Sequence, residues 1–300
     1  MILIVGGTGV LGQHAARLLL AEGHAVRVMT REPSRAEHLR QQGAELVRGD
    51  LIDPASVLRA CQGADRVLAA AHAIMGRGRY RSEYVDDAGH RALVDAAKNA
   101  GVNRFVYTSA QGASPDHRID FFRTKYGLEQ YLAGSGLEYV VLRPSSLMEW
   151  HAHELNGKPL LDKGRTILLG SGSRRRNFVA ASDVARIAAS ALFEREFVSQ
   201  IVEIRGPSDF TDDEVARLYA HLAGIPPKIS HVPGWLCSLL GAAALPLHPG
   251  FARIMRMASI DGVDDSSGVT KMISYPPPVT GLEQFVHERV VQQLDKKWAH

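Results

Sequence analysis

The chain has 300 residues, 45% of them hydrophobic and 22% charged, enough apolar material for an ordinary globular protein of one or two domains. Its 35 basic and 32 acidic residues are spread along the whole sequence and leave a net charge of +3, which excludes the basic stripe of a nucleic-acid binder. Cys61 and Cys237 have no CxxC or Cys/His spacing; they fit two buried thiols in a reducing, cytoplasmic setting and exclude a disulfide framework or zinc site.

Ile2 to Val5 reads as a first strand, because Gly6-Gly7 ends the apolar run and neither a basic segment nor a cleavage site of a secretory signal accompanies it. Residues 11–22 follow with Leu11, Ala15, Leu18 and Leu19 on one helical face, closed by Gly23. Apolar runs at 25–29, 45–48 and 66–71 alternate with helix-length segments, the pattern of parallel strands joined by helices. A helix is expected over 83–100, a strand over 104–108, a helix over 121–133 and a sixth strand over 138–142, which runs into Pro144. Beyond that point the spacing loosens. A helix over 182–193, capped by Ser182 or Asp183, and a strand over 201–204 precede a proline-rich tail that includes the triplet 276–278. The apolar stretch 235–247 is shorter than the ~20 residues that span a bilayer. It is expected as a buried helix, with contact to a membrane surface as the other reading.

These elements predict a Rossmann-type, doubly wound α/β domain over 1–145, with a possible return to the sheet around 175–205. A smaller lobe over 146–300 would lie across the carboxyl ends of the strands. The run Gly6-Gly7-Thr8-Gly9-Val10-Leu11-Gly12 leaves a strand and opens a helix, the context in which such a glycine pattern cradles a dinucleotide diphosphate. At the end of the second strand, where an acidic residue would accept the ribose 2′-hydroxyl of NAD(H), the chain has Thr30-Arg31. Arg31, with Arg35 or Thr30 beside it, suits the 2′-phosphate of NADP(H), while the adjacent Glu32 keeps NAD(H) possible. Asp50 and Leu51 are placed to meet the adenine edge, although Asp50 also suits a turn cap. Ala70 and Ala71 offer small side chains beside the diphosphate, as would a plain core strand.

Together with Tyr107-Thr-Ser109, Lys125-Tyr-Gly-Leu-Glu129 and Leu142-Arg-Pro144, these motifs resemble the NmrA-like group of atypical short-chain dehydrogenases/reductases. The resemblance implies a Rossmann core, a small substrate lobe and NAD(P)(H) binding. It further implies that Lys125 holds the nicotinamide ribose and that Ser109 hydrogen-bonds a substrate carbonyl, with Pro144 near the cofactor and Ser145, Ser146 and Met148 lining the substrate pocket. One position departs from the superfamily: four residues before Lys125, where a proton-donating Tyr is expected, stands Phe121. Two functions follow: a reductase of a small electrophilic acceptor (quinone, imine, carbonyl or activated double bond), or a regulator or assembly protein that binds the dinucleotide as effector without turning it over. Glu149, His151, His153 and Glu154 fit a substrate loop better than a metal site. Arg174-Arg175-Arg176 reads as a solvated loop, with an anion site as the alternative.

Overall fold

A computed structural model describes residues 1–260 and 277–298; residues 261–276, and with them Pro276 of the proline triplet, lie outside the described residues, as do 299 and 300. Seven parallel strands form the central sheet: β1 (Ile2–Val5), β2 (Val26–Thr30), β3 (Glu45–Arg48), β4 (Arg66–Ala69), β5 (Arg104–Thr108), β6 (Glu138–Pro144) and a later strand, Gln200–Ile204, that pairs with β6. Their spatial order is Gln200–Ile204, β6, β5, β4, β1, β2, β3, so the winding reverses between β1 and β4. Ligands of open α/β sheets bind at that reversal.

Both faces of the sheet are covered, which is why apolar side chains point to both sides of its strands rather than to one. Ile2 and Ile4 point to one face, packed by α1 (Val10–Ala21) and α2 (Glu37–Gln41), and by the later helix Ala181–Phe193. Leu3 and Val5 point to the other, under α3 (Pro54–Cys61), α4 (His90–Asn99) and α5 (Asp120–Ala133). The helix expected over 83–100 does not start as an α-helix: Glu83–Gly89 is a π-helical segment that runs into α4. The buried Asp86 in it accepts the Ala73 amide at 3.0 Å and the Ser82 hydroxyl at 2.6 Å, tying the segment to the loop after β4.

After β6 come β7 (Ser146–Leu147), a second π-helical segment (Met148–Gly157), α6 (Lys158–Lys163), β8 (Arg165–Leu169), β9 (Arg175–Val179), α7 (Ala181–Phe193) and β10 (Gln200–Ile204). Then follow β11 (Asp209–Thr211), α8 (Asp212–Leu222), β12 (Lys228–Val232), α9 (Gly234–Ala244), α10 (Pro249–Ser259) and α11 (Leu282–Trp298). Strand β9 lies between β7 and β11, and β8 pairs with β12. A separate core of Met148, Leu160, Phe178, Val215, Tyr219, Phe285 and Val286 holds this lobe together.

Three expectations are corrected here. Neither Ser182 nor Asp183 caps α7; the Glu149 carboxylate reaches across to accept the Ala181 amide at 3.0 Å, while Asp183 accepts the amides of Val279 and Thr280 at 3.1 and 2.9 Å and so anchors the chain before α11. Met148 is 1% exposed within the lobe's own core, not a pocket residue. The apolar stretch at 235–247 is not a buried helix: of α9 only Cys237 and Gly241 are buried, and among the described residues α10 is the element packed most extensively along it.

Candidate functional site

The glycine turn leaves β1 at the sheet reversal. Gly6 has φ +93°, a left-handed conformation, and a side chain there would meet the Ala71 nitrogen at 2.6 Å. The turn therefore lies directly against Ala70-Ala71 at the end of β4. A Cβ on Gly12 would stand 2.3 Å from the Gly6 oxygen, so α1 can start tight on the turn only without one. Gly7, which had no role assigned from sequence, has no room either, because a Cβ would meet Val28 at 2.5 Å. Gly9 differs: its backbone is ordinary (φ −79°, ψ 164°) and a Cβ would meet only the Gly6 oxygen, at 3.3 Å. No side chain caps α1, and the first bond back from the helix joins the Gln13 amide to the Gly9 carbonyl. The Gly9 amide is turned back to the Gly6 carbonyl at 2.9 Å, so the amides of Val10, Leu11 and Gly12 are the helix N-terminal donors suited to a diphosphate.

From this turn a cavity of about 1040 Å³ runs along the carboxyl ends of the strands. Its walls include Gly6, Thr8, Gly9, Val10, Leu11 and Gly12, then Thr30, Arg31, Arg35, Asp50, Leu51, Ala70 and Ala71 at one end. Ser109, Phe121, Lys125, Pro144, Ser145 and Ser146 line the other. Arg31 is exposed, and its guanidinium rests over the Tyr80 ring at 4.5 Å. The Tyr80 hydroxyl donates to Asp50 at 3.1 Å, and Asp50 also accepts the Ile52 amide at 3.3 Å. Asp50 therefore caps its turn and steadies Tyr80 under Arg31, a stacking partner that no sequence signal announced. Thr30 is buried, its hydroxyl accepting the Glu32 amide at 3.2 Å.

At the far end, Lys125 is 2% exposed and donates to the Thr108 carbonyl at 3.0 Å, with its ammonium over the rings of Tyr107 and Phe121 at 4.8 and 5.4 Å. Burial pushes its pKa below the ordinary lysine value, against the opposing pull of Asp86 and Glu129. One helical turn on, Glu129 is ion-paired bidentately with the buried Arg143, at 3.0 and 2.5 Å. An ion-paired carboxylate only accepts hydrogen bonds, and the Ser109 hydroxyl donates to it. Ser109 thus has a lone pair, not a proton, left for the cavity, which corrects its expected role as donor to a substrate carbonyl. Sequence spacing places Glu129 on the same helical face as Lys125, four residues on, but gives no signal for its pairing with Arg143.

Phe121 is 6% exposed. Edge-on to it, at 6.5 Å between ring centres, is His72, which the sequence reading missed. It follows the end of β4 and is solvent-exposed where it lines the cavity. Burial first and Lys125 second lower its pKa, and Asp86 opposes them. The cavity continues past these groups to Trp150 and to Ile254 and Met257 of α10. That helix is fixed over the mouth by Arg253, which donates to the Ile74 carbonyl at 2.8 Å and to both Asp120 oxygens at 2.8 and 2.6 Å.

The remaining polar candidates hold structural contacts. His151 Nδ1 lies 3.3 Å from the Leu147 carbonyl, and His153 Nδ1 3.2 Å from the Tyr219 hydroxyl. Burial and then Arg176 push His151 down to about 3, so its ring is neutral where it lines the cavity. Among the described residues no three His, Cys, Asp or Glu converge as a metal site. Arg175 and Arg176 belong to β9 rather than a free loop, and they pair with Glu214 and Asp212 at 3.1 and 2.9 Å. Burial pushes the Cys61 thiol up to about 12, which removes it as a nucleophile.

A family model described as NAD(P)H-binding matches residues 6–195. The chain is 29% identical over 232 residues to the photosystem II assembly factor Ycf39 of Guillardia theta, covering 77% of this chain and 73% of that protein. It is 29% identical over 227 residues to the NAD(P)H azoreductase of Xenophilus azovorans, covering 75% of each. Among solved structures, an NADPH-dependent quinone oxidoreductase from Escherichia coli is similar with a TM-score of 0.71 and 26% identity, over 96% of this chain and 99% of that one.

Proposed function

Because the chain belongs to the NAD(P)H-binding, NmrA-like group of atypical short-chain dehydrogenases/reductases, we propose that it is an NADPH-dependent reductase of a small, flat electrophilic acceptor such as a quinone, an azo compound or an imine, working in a cytoplasmic setting. The observation that carries this reading is the continuity of one cavity from the glycine turn, past Lys125, to an apolar end walled by Phe121, Phe122, Trp150, Ile254 and Met257. The first stretch suits a dinucleotide, and the second offers an aromatic acceptor a dry seat.

The residues fit the cofactor. Unpaired amides at the start of α1, with no Cβ at Gly9 to obstruct them, would hold the diphosphate. Arg31, braced on Tyr80 and with no carboxylate partner among the described residues, would take the 2′-phosphate in preference to the bare ribose of NADH. Lys125, fixed by the Thr108 carbonyl, would hold the nicotinamide ribose. The bound nicotinamide supplies a hydride to the acceptor.

Ser109 and Lys125 keep the floor of the site polar and pre-arranged, and the Glu129–Arg143 pair locks Ser109 from behind. Phe121 carries no proton to hand over, so the proton that balances hydride addition would come from His72, which lines the cavity beside it. Hydride delivery to a good acceptor depends mainly on positioning, and the imidazolium form of His72 would be the donor of the proton.

The test is NADPH oxidation across a panel of quinones, azo dyes, imines and aldehydes. Turnover with at least one class, lost in Lys125→Ala and reduced with an altered pH profile in His72→Gln, is the expected result. Tight NADPH binding without turnover across the panel would overturn it and favour a dinucleotide-dependent assembly or regulatory role, the reading that the likeness to Ycf39 suggests.

A further inference from the structure

Helix α9 and the turn after it leave Trp235 70% exposed, Leu239 60%, Leu245 56% and Leu247 85%. From Trp235 to Gly250 the chain carries no Asp, Glu, Lys or Arg. Single exposed leucines are ordinary on a protein surface, but an uncharged run with this many large side chains turned outward is not. Nor does the helix stand apart from the rest of the protein. Gly250 is pressed against the Met75 backbone, where a Cβ would come within 2.4 Å, and Pro246 and Leu247 share a surface cavity with Arg79 and Arg81. The loop beneath thus adds a basic flank to the apolar patch. Arg77 and Arg79 are exposed; Arg81 pairs with Glu83 at 2.9 Å.

We propose that this face docks the protein on an anionic lipid bilayer, with Trp235 and the leucines of the α9 turn set into the headgroup and acyl boundary and Arg77 and Arg79 against lipid phosphates. Tryptophan suits that boundary because its ring is apolar and its N–H is polar. The arginines decide between a bilayer and a second copy of this chain. A two-fold interface would bring the same basic flank toward itself, whereas an anionic lipid layer neutralises it. Ile254 and Met257 of the adjoining α10 line the cofactor cavity, so docking would hold its mouth close to the bilayer. The proposal stands on the surface alone and does not need the reductase reading.

It is tested by co-sedimentation of the full chain with vesicles of phosphatidylcholine, and of phosphatidylcholine mixed with phosphatidylglycerol, together with Trp emission. Binding to the mixed vesicles, much weaker binding to the neutral ones and a blue shift in emission are expected. Leu239→Glu with Leu247→Glu abolishes binding, and Arg77→Glu with Arg79→Glu weakens it by roughly five-fold or more per arginine. Thermal melts stay at parental values in both, because every altered side chain is exposed, and NADPH affinity stays parental in the leucine variant. No sedimentation with mixed vesicles, equal binding to neutral vesicles, or binding that survives the leucine variants would overturn the proposal. So would a dimer that the leucine variants dissolve in the absence of vesicle binding, which would assign the face to a second copy.

Discussion

Gly9 and Gly12 separate two requirements of the glycine turn, so their alanine variants should fail in different ways. At Gly12 a methyl group would lie 2.3 Å from the Gly6 oxygen, about 1 Å short of ordinary contact, and the atoms it meets are backbone. The start of α1 must lift from the turn, an overpacking that costs about 1–3 kcal/mol of stability. At Gly9 the backbone is one that alanine adopts freely, and the nearest atom to a Cβ is 3.3 Å away. Stability there should change by less than about 1 kcal/mol, the difference between glycine and alanine as a helix cap. The new methyl would instead project toward the space above the first-turn amides. Displacing a diphosphate from one charge-assisted N–H contact costs about 2 kcal/mol, or roughly thirty-fold in Kd. Calorimetric titration with NADPH and NADH, alongside chemical unfolding, reads both quantities. Gly9→Ala should weaken the two nucleotides equally while unfolding like the parent, and Gly12→Ala should lose stability and affinity together. Parental affinity for both nucleotides in Gly9→Ala would refute the placement of the diphosphate on these amides.

Arg31→Glu should weaken NADPH by more than about ten-fold, from loss of a charge-assisted contact and gain of a like charge, and leave NADH nearly unchanged; equal losses for both nucleotides would show that Arg31 does not select. Glu129→Ala takes the bidentate partner from the Arg143 guanidinium, whose side chain is only 7% exposed, and leaves it Glu203 at 3.6 Å, which should cost about 1.5–3 kcal/mol in chemical unfolding; a loss under about 1 kcal/mol would mean that water reaches the pair. His72 has a folded pKa below the ordinary imidazole value, so its charged form builds up only as pH falls through that lowered value. Reductase turnover should therefore rise toward acid pH in the parent and lose that limb in His72→Gln; an unchanged profile would remove His72 from proton delivery. At Asp120, burial raises the carboxyl, but Arg253 outweighs it and holds the group below the ordinary range. A depressed folded pKa contributes stability above the unfolded value near 3.9 and loses it as pH falls through the folded one. Hydrogen exchange in α10 should accordingly quicken below about pH 4 in the parent, and be fast at every pH in Arg253→Met.

The nucleotide half of this protein was legible in its sequence because it is built from local signals. Apolar runs separated by helix-length segments predict parallel strands, and β1, β3 and β5 fall on the runs that mark them. A glycine pattern between strand and helix announces its own turn, since positive φ at Gly6 and the absence of room at Gly12 are properties of adjacent chain. What only the tertiary structure decided are meetings between residues far apart in sequence. Glu149 caps α7 from 32 positions away, and Asp183 ties down residues 279 and 280. Tyr80 slides under Arg31, and His72 comes to stand against Phe121. The stretch at 235–247 shows the limit most plainly: its apolar content was visible, but burial depends on what packs against a helix, and α9 meets α10 on one side and presents its large side chains on the other. Composition determines what a segment can bury, and only the arrangement of its neighbours determines whether it does.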